Sequence, residues 1–116
     1  MFLFIVAGPY IISLSPLGEV RDKKPLISVT FSEPAVPLDV VEREIENPFI
    51  ILPPVPGRAR WMGTRTLVFI PDTTLTPATR YTVILNHEKI KGLKRDTSWT
   101  FETERPEVRR SIPADG

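Results

Sequence analysis

The chain has 116 residues and contains no cysteine, one histidine and six glycines. Without cysteine it cannot form a disulfide framework, a zinc site with thiolate ligands, a cysteine nucleophile or an internal thioester. His87 has no serine or second histidine arranged around it in the sequence, so a zinc or catalytic role is not indicated. We therefore expect no catalytic, metal-binding or cofactor-binding residues in this chain.

The chain also lacks a charge excess and a long apolar run. Its 15 Lys and Arg residues and 14 Asp and Glu residues give a formal net charge of +1, which provides no net field to attract nucleic acid or anionic lipid. The initial sequence MFLFIVAG is apolar but far shorter than the roughly 20 residues of a membrane span. We expect neither a nucleic-acid partner nor a membrane span in this chain.

Residues 1–9 also differ from a signal peptide, because no basic residue precedes the apolar run and the run is short. We interpret them as an edge segment or the boundary of an expressed fragment. A remnant of a signal peptide is the alternative.

Thirteen prolines, with the turn residues around them, separate short stretches in which apolar and polar side chains alternate. Alternation with a period of two, rich in β-branched and aromatic residues, is typical of strands with one buried face. The pattern predicts an all-β fold, an immunoglobulin-like two-sheet β-sandwich of about seven strands, over residues 10–106. Residues 107–116 are polar and are interpreted as a linker or tail. The seven strands begin near Tyr10, Leu26, Phe49, Arg58, Thr66, Arg80 and Thr97.

The most informative stretch is residues 64–85, TRTLVFIPDTTLTPATRYTVIL. It reads as two strands joined by a corner at Pro77, whose fixed φ and missing N–H suit a turn better than a strand interior. Tyr81 has the spacing of a tyrosine corner, in which the hydroxyl hydrogen-bonds to backbone a few residues upstream. The alternative is an ordinary hairpin with a tyrosine there by chance.

The inward-facing positions of the strands give the predicted core. Burying a side chain of the size of Leu or Phe contributes about 1.5–3 kcal/mol, so a core of this size can offset the chain entropy without a disulfide. The predicted core residues are Tyr10, Ile12, Leu14, Ile27, Val29, Phe31, Ile50, Trp61, Leu67, Phe69, Leu75, Tyr81, Val83, Trp99 and Phe101.

Four carboxylates lie close together in residues 39–46, DVVEREIE, a stretch that fits either a short helix or a strand. No histidine and no organised calcium-binding loop accompanies them, so we interpret them as a solvated face rather than a metal or acid–base site. The four residues are Asp39, Glu42, Glu44 and Glu46.

A local run of basic residues follows in residues 86–96, NHEKIKGLKRD. The run has no interleaved aromatic residues and therefore lacks the stacking platforms of a single-stranded nucleic-acid groove. We interpret it as a solvated loop. Its basic residues are Lys89, Lys91, Lys94 and Arg95.

The stretch Arg58-Ala59-Arg60-Trp61 supplies the interface candidates of this chain. Trp61 is predicted first as a core residue, because a large aromatic side chain buries much apolar area. Since Trp and Arg are enriched at interface hot spots, Arg58, Arg60 and Trp61 are also candidates for contact with a protein partner.

Several motifs carry a family resemblance. VTFSEP at 29–34 is followed by LPPVPGRARW at 52–61, GTRTLVFIPDTTLTPATRYTV at 63–83 and WTFETERP at 99–106. In this order they resemble the N-terminal immunoglobulin-like domain of bacterial α-macroglobulin-like proteins. They are also similar to the broader bacterial Ig-like family of cell-surface and S-layer proteins.

The α-macroglobulin resemblance implies a part in protease trapping, in which a protease cleaves a bait segment and the rearranged multidomain chain encloses it, often through an internal thioester. This chain lacks the thioester motif, and no bait segment can be assigned in it. The implied role is therefore scaffolding, with neighbouring domains of a longer chain as partners and proteases contacted through the whole assembly. The implied location is the cell envelope, periplasmic or extracellular, with any membrane anchor in another segment.

Two other functions are alternatives to this one. The chain could be an Ig-like spacer or adhesion module of a cell-surface or S-layer protein. An enzyme is disfavoured, because no nucleophile is paired with a base and no titratable groups converge.

Overall fold

The computed structural model describes residues 10–105, which form nine β-strands and two short 3₁₀ helices. The interpretations of residues 1–9 and 107–116 lie outside the described residues. The strands are β1 Ile11–Ser15, β2 Gly18–Val20, β3 Ile27–Phe31, β4 Glu44–Ile45, β5 Phe49–Leu52, β6 Gly57–Trp61, β7 Thr66–Pro71, β8 Arg80–Leu85 and β9 Thr97–Thr103. The 3₁₀ helices are Leu38–Val40 and His87–Lys89.

The strands form two sheets, which confirms the predicted two-sheet β-sandwich. The first sheet has the order β1-β3-β7-β6-β4 and the second has the order β2-β9-β8-β5. All pairs are antiparallel except β2 with β9, which is parallel. Each of the seven predicted strands has a counterpart. The short strand β2 was not predicted, because three residues are too few to show an alternation. The two-residue strand β4 lies in the stretch 39–46, for which a strand was one of two alternatives.

The connections lie at two opposite ends of the sandwich. At the end where the chain enters, which we call the entry pole, the Ser32 N–H donates to the Tyr10 carbonyl oxygen at 2.7 Å. At the other end, the exit pole, the Leu75 N–H donates to the Lys23 oxygen at 2.8 Å. The last described strand ends at this second pole, where the Ala78 N–H donates to the Glu104 oxygen at 3.3 Å.

Side chains from both sheets fill the space between them. Eleven of the predicted core residues are buried: Ile27, Val29, Phe31, Trp61, Leu67, Phe69, Leu75, Tyr81, Val83, Trp99 and Phe101. Leu14 is half-buried and packs against this core. The prediction was wrong for Tyr10, Ile12 and Ile50, which are 62%, 53% and 46% exposed. It omitted six residues of the buried hydrophobic core: Phe49, Ile51, Ala59, Val68, Leu85 and Ile90.

In β1 the error has a local cause. Ile11 pairs with Phe31 but Ser13 pairs with Thr30, so the register shifts between Ile11 and Ser13. An extra residue of this kind reverses the inward and outward alternation beyond it. Ile11 and Leu14, three residues apart, therefore both pack against the core, whereas Ile12 points outward.

In β5 the sequence FIIL is apolar at every position, so alternation could not determine which residues face inward. The pairing with β8 determines which residues of β5 face inward. Phe49 lies opposite Leu85 and Ile51 lies opposite Val83, and all four are buried. Ile50 therefore lies on the outer face of the second sheet.

The predicted tyrosine corner is confirmed. The backbone N–H of Thr76 donates to the Tyr81 hydroxyl oxygen at 2.9 Å, and the Tyr81 ring stacks on Phe101 with 5.5 Å between ring centroids. The Thr103 hydroxyl donates to the Thr76 carbonyl oxygen at 2.6 Å. These bonds connect the corner between the sheets to the end of β9.

The ambiguous stretch 39–46 combines both of its predicted alternatives. The 3₁₀ helix Leu38–Val40 is followed by Glu42 in a left-handed conformation, with φ of 71°, and then by the two-residue strand β4. The carboxylates of this stretch belong to exposed residues, as predicted for a solvated face. Among residues 10–105, no helix is long and apolar enough to cross a membrane.

Candidate functional site

The three interface candidates share strand β6 but not one face of it. Successive side chains of a strand point to opposite faces. Arg58 and Arg60 lie on the outer face of the first sheet, whereas Ala59 and Trp61 are buried between the sheets. The period of two in the sequence already predicts that Trp61 and the two arginines point to opposite faces of the strand. Whether these residues contact a partner stays a prediction.

Trp61 is a core residue, as its primary interpretation predicted. It is 3% exposed, and its ring lies 5.8 Å from the Phe31 ring, tilted by 37°. Its backbone oxygen also accepts a hydrogen bond from the Glu42 N–H at 2.8 Å. Trp61 thus connects the first sheet to the segment between β3 and β5.

The outer face of β6 carries a surface of mixed charge. Arg58 Nε lies 3.9 Å from Asp72 Oδ1, and both side chains are well exposed, so this pair contributes little to stability. Arg60 lies opposite Glu44 in the β4–β6 register. Its Nε is buried and has no hydrogen-bond partner among the described residues. This face therefore carries both positive and negative side chains, with Asp72 beside Arg58 and Glu44 opposite Arg60.

A second candidate is an open cleft at the entry pole, which we call the entry cleft. It has a volume of about 520 Å³ and lies between the β3–β5 segment and the loop after β8. Its lining combines apolar residues, among them Val36, Val40, Ile45, Trp61 and Ile90, with the polar and charged residues Glu46, Asn86, Glu88, Lys89 and Lys91. Sequence reasoning missed this cleft, because its residues come from separate irregular segments that have no periodic pattern.

Two polar pairs hold the loop that forms one wall of the entry cleft. Lys89 forms an ion pair with Glu46 across the cleft. His87 Nδ1 lies 2.6 Å from Asp96 Oδ1, and the His87 backbone N–H donates to the same oxygen at 2.9 Å. Hydrogen bonding from the His87 side chain, followed by that from its backbone, lowers the pKa of Asp96 below its ordinary value.

A third concave surface lies at the exit pole and has a volume of about 490 Å³. Its lining includes Lys23, Leu75 and Pro77 together with Glu104 and Arg105. It therefore surrounds the point at which the described chain leaves the sandwich.

None of these surfaces assembles catalytic chemistry. Within residues 10–105, the ring of His87 hydrogen-bonds only to Asp96, and a nucleophile on the other ring nitrogen would be needed for covalent catalysis. The same residues contain no cluster of three or more His, Asp or Glu side chains that could hold a metal ion.

Comparison with known sequences identifies a family and a relative of this chain. The family model for the bacterial Ig-like domain matches residues 6–103. An alpha-2-macroglobulin homolog from Nostoc sp. is 31% identical over 103 residues, an alignment that covers 82% of this chain. The chain spans 5% of the length of that relative.

L,D-transpeptidases are among the solved structures that are similar to this chain. LdtMt1 in complex with imipenem has a TM-score of 0.56 and 24% identity, over 83% of this chain and 40% of that one. An L,D-transpeptidase from Mycobacterium smegmatis has a TM-score of 0.57 and 19% identity, with the same coverage of 83% and 40%. At this identity the likeness concerns the fold alone, and the chain again spans less than half of each neighbour.

Proposed function

Because this chain belongs to the bacterial Ig-like domain family, we propose that it is a non-catalytic structural domain of a bacterial α-macroglobulin-like protease inhibitor. The observation that carries this proposal is its 31% identity to an alpha-2-macroglobulin homolog along 103 residues. Fold alone would not support it, since β-sandwiches serve many unrelated functions.

The places at which the described chain enters and leaves the sandwich support a role between other domains. Tyr10 lies at the entry pole and Glu104 lies at the exit pole, with the full length of both sheets between them. A sandwich of this kind can be placed in series, with one neighbour at each pole. Contacts between domains of one chain resemble transient protein interfaces, which suits the mixed apolar and charged surfaces at the two poles.

The partners in this proposal are neighbouring domains of the same longer chain, and proteases are met by the whole assembly. The proposed location is the cell envelope, either periplasmic or extracellular. In this proposal the domain itself performs no chemistry, because no nucleophile, base and anion-stabilising group converge on the surfaces described above for residues 10–105.

A spacer of a surface or S-layer protein is the second candidate function. The same opposite placement of entry and exit favours it, since a spacer must hold its neighbours apart. The L,D-transpeptidases also contain this fold within a longer chain, since this chain covers only 40% of LdtMt1. The two functions differ in what the rest of the protein does.

The test uses the native product isolated from its host with an antibody to this domain. Its intact mass is measured before and after methylamine, which adds to an internal thioester. Its effect on a protease is then measured with a short peptide and with a large protein as substrates. We expect a product many times larger than this chain that blocks cleavage of the large substrate but spares the small one, because an enclosed protease excludes large substrates sterically.

A methylamine adduct would establish a thioester in the remainder of the protein. A large product that leaves protease activity unchanged towards both substrates would contradict the inhibitor and favour the spacer. The isolated 116-residue chain is the control and should affect neither substrate. Stoichiometric inhibition by the isolated chain would overturn the scaffolding role.

A further inference from the structure

The second sheet ends in a strand whose outer edge has no neighbour. β5 pairs with β8 on one side and is the last strand of its sheet. Its residues Phe49 and Ile51 are buried, whereas Ile50 and Leu52 on the outer face are 46% and 49% exposed. A free edge presents unpaired backbone groups, to which a further strand can add.

The other three edges of the sandwich have features that oppose such pairing. β2 has three residues, among them the exposed Glu19, and β4 has two residues, one of which is Glu44. β1 contains the register shift between Ile11 and Ser13. Short length, charge and bulges are the usual protections of an edge strand. β5 pairs regularly over four residues, and residues 47–57, NPFIILPPVPG, contain no charge and no proline within the strand itself.

The hydrogen bonds of β5 show which of its backbone groups face the free edge. The Asn86 N–H donates to the Pro48 oxygen at 2.8 Å, so residue 48 bonds towards β8. In an antiparallel pair, alternate residues bond to the same neighbouring strand. Ile50 and Leu52 therefore also bond to β8, and the backbone groups of the odd-numbered positions of β5 point to the free edge.

This edge offers a single available N–H group. The Phe49 N–H already donates to Asn47 Oδ1 at 2.9 Å, and Pro53, directly after β5, has no N–H. Between these two blocked positions lies the Ile51 N–H, with which no described segment pairs. A strand that adds here must therefore place a carbonyl oxygen opposite Ile51.

We propose that β5 pairs in antiparallel orientation with β5 of a second copy of this chain, about a two-fold axis at Ile51. The Ile51 N–H of each copy then donates to the Ile51 oxygen of the other. Ile50 of one copy lies beside Leu52 of the other, so the exposed apolar residues of both copies cover each other. Such an interface uses the same patch on both copies and closes as a dimer.

The edge is complementary to itself, which favours a second copy as the occupant. In this register Phe49 of one copy lies opposite Pro53 of the other, so the two blocked positions meet and no available N–H loses a partner. Residues 47–57 carry no charge, so the pairing opposes no like charges, which are destabilising across a strand pair. The contact is small, and we expect the weak association of a transient interface. This inference rests on neither candidate function.

Sedimentation velocity of the full chain, from micromolar to millimolar concentration, measures the association. We expect a monomer–dimer equilibrium without larger species, because the pairing uses the one unprotected edge of the described sandwich. Leu52→Lys should abolish the dimer, since it places a charge beside the apolar Ile50 of the second copy. Ile12→Lys, at an exposed apolar residue of β1, should leave the dimer unchanged. Both positions are exposed, so both variants should unfold at the wild-type midpoint.

Cysteine cross-linking tests the register, and the natural chain contains no cysteine. Opposed residues of a non-hydrogen-bonded antiparallel pair have Cα atoms about 4.5 Å apart, within the range of about 4.4–6.8 Å that a disulfide bridges. Diagonal neighbours, about 7–8 Å apart, exceed it. A mixture of Ile50→Cys and Leu52→Cys chains should therefore form covalent dimers about tenfold faster than either chain alone, because pairing raises the effective concentration. A mixture of Ile50→Cys and Ile12→Cys chains is the matched control.

A chain that stays monomeric at millimolar concentration would overturn the proposal, as would a dimer that persists in Leu52→Lys. Equal cross-linking rates in the test and control mixtures would also overturn it, because the contact would then lie away from β5. Faster cross-linking of Ile50→Cys alone than of the mixture would contradict the pairing about Ile51.

Discussion

The Tyr81 hydroxyl oxygen and the backbone nitrogen of Thr76 lie 2.9 Å apart, and the N–H of Thr76 donates to the hydroxyl across the corner between β7 and β8. The Tyr81 ring lies in the core, stacked on Phe101. One side chain thus fixes the corner and packs between the sheets.

Tyr81→Phe should retain the packing and lose the hydrogen bond. We expect the free energy of unfolding to fall by about 1 kcal/mol, the typical net value of one hydrogen bond. Urea denaturation followed by tryptophan fluorescence measures the change. Tyr10→Phe is the matched control, because Tyr10 is exposed, and it should leave the midpoint unchanged. Equal midpoints for both variants would mean that the corner bond contributes nothing.

The corrected orientation of β5 gives a second prediction from two adjacent residues. Phe49→Ala should lower the free energy of unfolding by about 3–5 kcal/mol, because it removes a buried ring and leaves a cavity. The Phe49 ring contacts Phe69 edge to face, with 6.0 Å between centroids. Ile50→Ala, on the outer face, should cost less than about 1 kcal/mol. The opposite order in thermal or urea unfolding would restore the sequence-based orientation.

How far the sequence predicts this fold depends on the contrast between the two faces of each strand. In β3 the polar Ser28 and Thr30 alternate with buried apolar residues, and the prediction there is correct. β5 is apolar on both faces, so only its pairing with β8 determines which side chains face inward. In β1 the register shift lies in the pairing with β3 and leaves no mark in the sequence.

Gly57, at the start of β6, has no room for a side chain. A Cβ at this position would clash with the Ile70 carbonyl oxygen and the Phe69 ring, with the ring Cε2 only 2.8 Å away. Gly57→Ala should therefore cost about 1–3 kcal/mol through overpacking. Arg58→Ala, at the next position, removes only an exposed pair and should cost less than about 1 kcal/mol. A thermal midpoint for Gly57→Ala equal to that of the wild type would contradict the close packing.

The candidate surfaces are harder to predict from the sequence than the sheets are. The sequence makes Arg58 and Arg60 interface candidates, which stay a prediction, and its period of two already implies that Trp61 points to the other face of the strand. The entry cleft is different, because Val36, Trp61 and Ile90 are distant in sequence and only the folded chain brings them together. Residues in irregular segments have no periodic pattern from which such a cleft could be predicted.

The His87–Asp96 pair predicts a pH dependence with a definite sign. Hydrogen bonds from His87 lower the folded-state pKa of Asp96, whereas in the unfolded chain the pKa returns to about 3.9. The folded state then binds the proton less tightly than the unfolded state, so the contribution of this pair to stability is present above pH 4. It is lost as the pH falls through the folded-state pKa.

Carbon-13 NMR of the Asp96 carboxyl group, recorded as a function of pH, measures this pKa directly. We expect the wild type to titrate below the ordinary range of aspartate and His87→Ala to titrate at a higher pH, because the hydrogen bond from the side chain is removed. The backbone N–H of residue 87 still donates to Asp96 in that variant, so part of the depression should remain. Because Asp96 is exposed, the accompanying change in stability should be small and should diminish with added salt. Identical titration of the two proteins would show that the imidazole does not stabilise the carboxylate in solution.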